Sequence, residues 1–149
     1  MKVYLAGAFA PYKEYKDWRD YVTKWLNQIH EFHNPLVDSR QECPMEFTMD
    51  DTMAAIECDC MLHYRTPNIE NTGGDYEHGV RVGAYYATGQ PKPIILVDES
   101  QFPYPLCTAT AKRTFSNLEI AVLYLSLLRS WDDDGPAINA VLELEKTRT

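Results

Sequence analysis

Basic residues are in short supply in this chain: 14 Lys and Arg stand against 22 Asp and Glu, for a formal charge of -8 at pH 7. Nucleic-acid polymers are bound by clustered Lys and Arg, so this balance argues against such a partner, and phosphate-rich substrates are disfavoured for the same reason. Glycine is also sparse, at 7, and none of it falls into G-x-x-x-x-G-K-[ST], G-x-G-x-x-G or G-x-S-x-G. The common ATP, GTP and NAD cradles and the serine-hydrolase elbow are therefore missing. No stretch approaches about 18 apolar residues, which excludes a membrane-spanning helix. The opening run Met1-Lys2-Val3-Tyr4-Leu5 breaks at Gly7 and Pro11, too early for a signal peptide, so the expected compartment is the cytoplasm.

Cysteine is limited to Cys43, Cys58, Cys60 and Cys107, whose one close pair is C-x-C where zinc sites usually show C-x2-C or wider. Reduced, buried thiols are expected. His30 and His33 form an H-x2-H pair without a third ligand nearby, and His63 and His78 stand alone. Neither a metal nor a cofactor is predicted.

What remains is a chain of 149 residues, 45% of them hydrophobic, which suits one compact domain over residues 1–149. A first strand is predicted over residues 2–5, running into Ala6-Gly7-Ala8-Phe9-Ala10-Pro11 as a loop. Tyr15, Trp18, Val22, Trp25, Leu26 and Ile29 recur at helical spacing and predict a stripe facing the sheet, with Lys16, Asp17, Arg19, Asp20 and Lys24 on the solvent side. Residues 32–37 form a weaker strand candidate, followed by the polar loop 38–42. Thr48 and Asp51 have capping-box spacing and predict a helix from Thr48 to about Cys58.

Strands follow at 60–64 and 94–97, the latter apolar throughout and mostly β-branched, as in a central parallel strand. Between them a helix is predicted over 76–88, closed by Gly89 and then Pro91 and Pro93. Residues 98–113 read as loop with a short strand near 107–109. Ser116 or Asn117 can cap a helix reaching Ser130, whose apolar stripe is wide enough to suggest a subunit interface; a last short helix carries Ile138, Val141 and Leu142. This alternation predicts an α/β fold of flavodoxin or Rossmann-like type, a parallel sheet of about five strands with helices on both faces.

The stretch that carries chemistry is Thr72-Gly73-Gly74-Asp75-Tyr76-Glu77-His78-Gly79, between strand 60–64 and the helix that follows. Acids are favoured in the first turn of any helix, so position alone does not single out Glu77. Gly73 and Gly74, which permit close approach of backbone or ligand, and the long polar loop before them do. The helix dipole is expected to keep Glu77 ionised at neutral pH, as suits a nucleophile.

These residues resemble the nucleoside 2-deoxyribosyltransferases and the related nucleoside 5'-monophosphate N-glycosidases. The matching features, in order, are Val3-Tyr4-Leu5-Ala6-Gly7-Ala8-Phe9, Asp51 ahead of Cys58-Asp59, Asn71 to Glu77, and Gly79 to Val97, together covering roughly residues 2 to 97. The resemblance implies that Glu77 is the nucleophile at the anomeric carbon, that Tyr4 holds its carboxylate, and that Asp51 binds substrate beside it. Gly7, Ala8, Phe9, Asn71 and Gly73 would line the substrate site. Ser116 and Asn117 would complete the site of a neighbouring subunit in a homodimer or larger homo-oligomer. The chain departs from the family at Asn71, six positions before Glu77, where an Asp or a Ser is usual. The first loop, Ala8 to Tyr12, also lacks the Ser and Arg that grip a phosphate in the nucleotide hydrolases. The implied partners are a 2'-deoxynucleoside and a free nucleobase, with transfer of the sugar between bases. Hydrolysis of nucleoside monophosphates, or nucleoside binding without turnover, are the alternatives.

Overall fold

The computed structural model describes residues 1–38, 44–67 and 71–148, with backbone alone for 44–48 and 148. The chain runs β1 (Lys2–Gly7), α1 (Trp18–Leu26), β2 (Glu31–His33), α2 (Pro35–Asp38), α3 (Pro44–Glu57), β3 (Cys60–Arg65), α4 (Thr72–Ala87), β4 (Ile94–Asp98), α5 (Pro105–Thr110), β5 (Arg113–Phe115), α6 (Leu118–Leu127) and α7 (Gly135–Arg148). The strands form one sheet of order β2-β1-β3-β4-β5 in which every pairing is parallel. This is the doubly wound arrangement expected from the sequence. Its chain reverses direction between β1 and β3, and ligands of such sheets sit at that crevice, outside the carboxyl ends of the strands.

Alternation along each strand sorts the core into two layers. Val3, Leu5, Cys60, Leu62, Tyr64, Ile95 and Val97 point to the layer shared with α1, α6 and α7. Tyr4, Ala6, Met61 and Ile94 point to the smaller layer, where Ala54, Ala55 and Cys58 of α3 and Tyr85 of α4 meet them. Cys58, Cys60 and Cys107 are free and buried. Among the described residues no helix is long and apolar enough to cross a membrane.

Several local expectations are revised. The strand placed at 32–37 is only Glu31–His33, because Pro35 ends the ladder and opens the single turn of α2. Helix α3 begins at Pro44, so Thr48 lies inside it and is not its cap. The polar loop after Asp38 and Cys43 lie outside the described residues. Residues 105–110 form a helix with Pro105 in its first turn, where the missing N–H costs nothing, and the short strand falls instead at Arg113–Phe115.

Helix α1 is shorter than its apolar repeat. Trp18, Val22 and Leu26 are buried, while Trp25 and Ile29 remain exposed. Asp17 and Arg19, assigned to the solvent side, are instead buried. Asp17 is the N-cap of α1, accepting from Arg19 N. Asn117 caps α6 by accepting from Glu119 N at 2.8 Å and Ile120 N at 3.3 Å. The wide apolar stripe of α6 is covered within the chain by the sheet, α1 and α7, so its width does not by itself call for a second subunit.

Candidate active site

Helix α4 starts at Thr72, inside the glycine-bearing stretch, which moves Glu77 from the first turn to the second. Gly74 explains why a weak helix former sits there. A Cβ on it would lie 3.0 Å from Gly7 Cα, 3.2 Å from His63 Nε2 and 3.3 Å from Ala8 N. The helix can approach β1 only through that bare backbone. Gly7 closes the contact from the other side: its φ is +139°, and a Cβ would meet the Tyr64 carbonyl oxygen at 2.6 Å. Gly73 has open space around it.

This approach brings the second turn of α4 over the carboxyl end of β1. The Tyr4 hydroxyl lies close enough to the Glu77 carboxyl to lower its proton affinity. Arg81, one turn further along α4, donates from Nη2 to the Tyr4 hydroxyl at 3.2 Å and from Nη1 to Thr52 Oγ1 at 2.9 Å, with its guanidinium carbon 5.3 Å from the Tyr4 ring centroid. Asp51, next to Thr52 on α3, is 1% exposed and lies near enough to raise the proton affinity of Glu77. Tyr4, Asp51 and Glu77 thus share one cluster, though they come from β1, α3 and α4.

The electrostatics differ from the sequence expectation. Burial pushes the Glu77 carboxyl up to about 7, against the lowering effects of Arg81, Arg19 and the Tyr4 hydroxyl, with Asp51 adding to the rise. The dipole effect fades beyond the first turn, so desolvation dominates. Glu77 keeps some side-chain surface, yet its Oε1 is fully buried and has no protein hydrogen-bond partner. Burial and the nearby Glu77 charge hold the Tyr4 hydroxyl far above the usual phenol range, so it remains a donor.

The remaining predicted site residues separate. Ala8 is held at the loop: its carbonyl accepts from Trp18 Nε1 at 3.0 Å and Arg19 Nη1 at 3.5 Å. Phe9 is 60% exposed. Asn71 engages the Thr66 backbone at both ends of its amide, accepting from Thr66 N at 2.9 Å and donating to Thr66 O at 3.0 Å, which braces the loop between β3 and α4. Ser116 and Asn117 follow β5, at the opposite edge of the sheet from β2, and β3 and β4 lie between them and β1.

Three contributors escaped the sequence reading. Arg19 ties the loop after β1 to α1 by donating to the Leu5, Gly7 and Ala8 carbonyls while ion-paired to Asp17 at 3.0 Å. Arg81 falls at i+4 from Glu77, a spacing that could have flagged it. His33 ends β2 in register with Tyr4; its ring stacks on the Tyr4 ring at 5.4 Å and 10°, and its Nε2 lies 3.4 Å from Asp51 Oδ1.

Beneath Gly74 lies a second buried group. His63 Nδ1 and His78 Nδ1 are 2.9 Å apart, and His78 Nε2 is 2.6 Å from Thr110 Oγ1. The donor atoms of His63, His78 and Cys107 lie within 4.8 Å of one another, the one grouping of this kind among the described residues that could hold a metal ion. The adjacent Asp75 is already bound bidentate by Arg65, at 2.9 and 3.1 Å. Burial lowers both imidazoles, His63 to about 3 and His78 to about 4, so both are neutral at pH 7.

The sequence matches no protein-family model and no curated protein. Among solved structures the fold is that of the 2-deoxyribosyltransferase and N-glycosidase class. The chain is similar to a 2-deoxyribosyltransferase from Bacillus psychrosaccharolyticus, with a TM-score of 0.60 and 19% identity over 82% of this chain and 90% of that one. It is also similar to a 2-deoxyribosyltransferase from Leishmania mexicana (TM-score 0.59, 12% identity, 86% of this chain, 99% of that one). A CMP N-glycosidase from Clostridium botulinum gives a TM-score of 0.55 and 17% identity over 86% of this chain and 100% of that one. At these identities the shared property is the fold.

Proposed function

We propose that the protein is a nucleoside 2-deoxyribosyltransferase that cleaves the N-glycosidic bond of a 2'-deoxynucleoside through a covalent deoxyribosyl-Glu77 intermediate. The observation that carries this reading is the Glu77 carboxylate itself, set beside the Tyr4 hydroxyl while its Oε1 stays buried without a partner. A buried oxygen left unsatisfied is costly in stability and fits a group kept ready for a reacting atom. The neighbours in fold, two of them deoxyribosyltransferases and one an N-glycosidase, support the same chemistry.

The N-glycosidic bond breaks through an oxocarbenium-like transition state, so an anionic oxygen beneath the anomeric carbon offsets the developing positive charge and then captures the carbon. The C1'–N electron pair leaves with the base, and a Glu77 oxygen bonds to C1'. A second nucleobase then attacks C1' from the vacated face, which returns the electron pair to Glu77 and retains the configuration. Tyr4 holds the carboxylate at the correct angle, and Arg81 holds Tyr4. Because Glu77 reacts as the anion, its raised proton affinity makes the ionised form a minority below about pH 7 and a strong nucleophile above it.

Nucleosides are favoured over 5'-monophosphates because, among the described residues, cations around the loop after β1 and the end of β3 are committed. Arg19 is spent on the loop carbonyls and Asp17, Lys13 pairs with Glu119, and Arg65 pairs with Asp75 and Asp98. Incubation with a 2'-deoxynucleoside and a different free base should yield the exchanged nucleoside, and Glu77→Ala should abolish it. Release of free base from a 5'-monophosphate without exchange would favour an N-glycosidase instead. Turnover retained by Glu77→Ala would sink both.

A further inference from the structure

We propose that His33 is the general acid and base of this site, handing a proton to the departing nucleobase while Asp51 orients its ring. The proposal rests on Glu77 acting as the glycosyl-accepting nucleophile and names the group that must act on the other side of the same bond. A nucleobase expelled without a proton leaves as a poorly stabilised anion, so a deoxynucleoside bond needs an acid beside the base as well as a nucleophile beneath the sugar.

Parallel register places His33 beside Tyr4 on the same face of the sheet, and the near-coplanar stack at 5.4 Å fixes the plane of the imidazole. Tyr4 in turn lies near enough to the Glu77 carboxyl to shift its proton affinity, so Tyr4 on β1 stands between Glu77 of α4 and His33 of β2. The Asp51 carboxylate, 3.4 Å from His33 Nε2, holds the ring. Asp51 itself is a weaker candidate for the proton carrier. It is 1% exposed and lies near both Glu77 and His33, whereas the His33 side chain is 11% exposed at the end of an edge strand.

The proton balance closes over a full exchange. As the C1'–N pair moves onto the base, imidazolium gives its proton to a ring nitrogen, and the base departs as a neutral molecule. Neutral His33 then takes the N–H proton of the incoming base as that nitrogen bonds to C1' and the Glu77 oxygen leaves. No other reactant is needed.

The test compares leaving groups. His33→Phe keeps the stack on Tyr4 but carries no proton, and His33→Gln keeps a polar side chain of similar reach; a thermal melt of each checks folding. Both should lose about 10²- to 10⁴-fold in kcat on deoxyadenosine. On 7-methyl-2'-deoxyguanosine, whose base departs neutral without protonation, the loss should shrink to within about tenfold, the remainder being positioning. If the protein takes only pyrimidines, deoxyuridine and 5-fluorodeoxyuridine replace the pair, and the loss should be smaller for the more acidic base. Equal losses on both members of a pair, or full activity on both, would overturn the proposal. Glu77→Ala, run alongside, must lose both substrates; if it does not, the underlying nucleophile reading fails separately from the assignment of His33.

Discussion

The two faces of the sheet are built to different rules. The α1, α6 and α7 face is a continuous apolar layer in which Val3, Leu5, Trp18, Leu62, Ile95, Leu118 and Leu125 are fully buried. The α3 and α4 face buries a smaller apolar set and mixes it with Tyr4, Asp51, Glu77 and Arg81. Three of the buried polar atoms lacking a hydrogen-bond partner, Glu77 Oε1, Arg81 Nε and Tyr85 Oη, all belong to α4. One layer supplies stability and the other spends some of it, because desolvating a carboxylate and leaving its oxygen unpaired both disfavour folding. The comparison shows which half of the domain is free to be imperfect.

The largest effect that should separate the faces is on catalysis. Glu77→Ala is expected to lower turnover by on the order of 10⁴-fold or more, as removal of a principal catalytic group does. Glu77→Gln should be as inactive yet more stable. A carboxyl raised to about 7 in the folded state and ordinary when unfolded makes the fold lose stability as pH climbs from its unfolded value to about 7, so the neutral amide should gain on the order of 3 kcal/mol at pH 8. Urea unfolding at pH 5 and pH 8 checks this; a gain equal at both pH values would contradict it.

On the opposite face, Leu125→Ala should cost about 2–5 kcal/mol by leaving a cavity beside Tyr124 and Leu118, with kcat per folded molecule unchanged. A drop in kcat at full folding would mean the faces are coupled more tightly than their packing suggests.

A smaller effect tests the charge balance within the polar face. Wild-type kcat/KM should rise through pH about 7 as Glu77 ionises. Arg81 is the strongest of the groups lowering the Glu77 proton affinity, so Arg81→Met should move that midpoint upward and cost roughly tenfold at pH 6. Arg81→Lys should recover part of the shift, and an unmoved midpoint would remove Arg81 from the account. Smallest of all, Gly74→Ala should cost about 1–3 kcal/mol, since its Cβ would press on Gly7 Cα and Ala8 N and ease α4 away from β1. A pH midpoint for activity that falls in this variant would fit partial rehydration of Glu77.

Much of this architecture can be read from the chain alone. β3 and β4 announce themselves as apolar runs, Gly89 takes the φ of +69° that follows a helix C-cap, and Asn117 caps α6. Short elements are harder, because α2, α5, β2 and β5 span too few residues to show a period. The glycine pair misleads for a physical reason: Gly73-Gly74 looks like a turn by local propensity, whereas Gly74 is helical and serves the contact with Gly7. Arg19 and Asp17 look like surface charges, since nothing in a helical repeat reveals that the loop after β1 will bring its carbonyls to them.

The sequence by itself determined the doubly wound class, the order of its long elements and the position of the carboxylate in the segment after β3, because hydrophobic period and turn chemistry are local properties. Tertiary structure decided what that carboxylate is. Only the packing of α4 on β1 through Gly74 and Gly7 moves Glu77 into the second turn, buries its oxygen and lifts its proton affinity to about 7. Only parallel register sets His33 beside Tyr4 and Asp51. Desolvation and cross-strand proximity depend on residues far apart in the chain, so no window of sequence contains them.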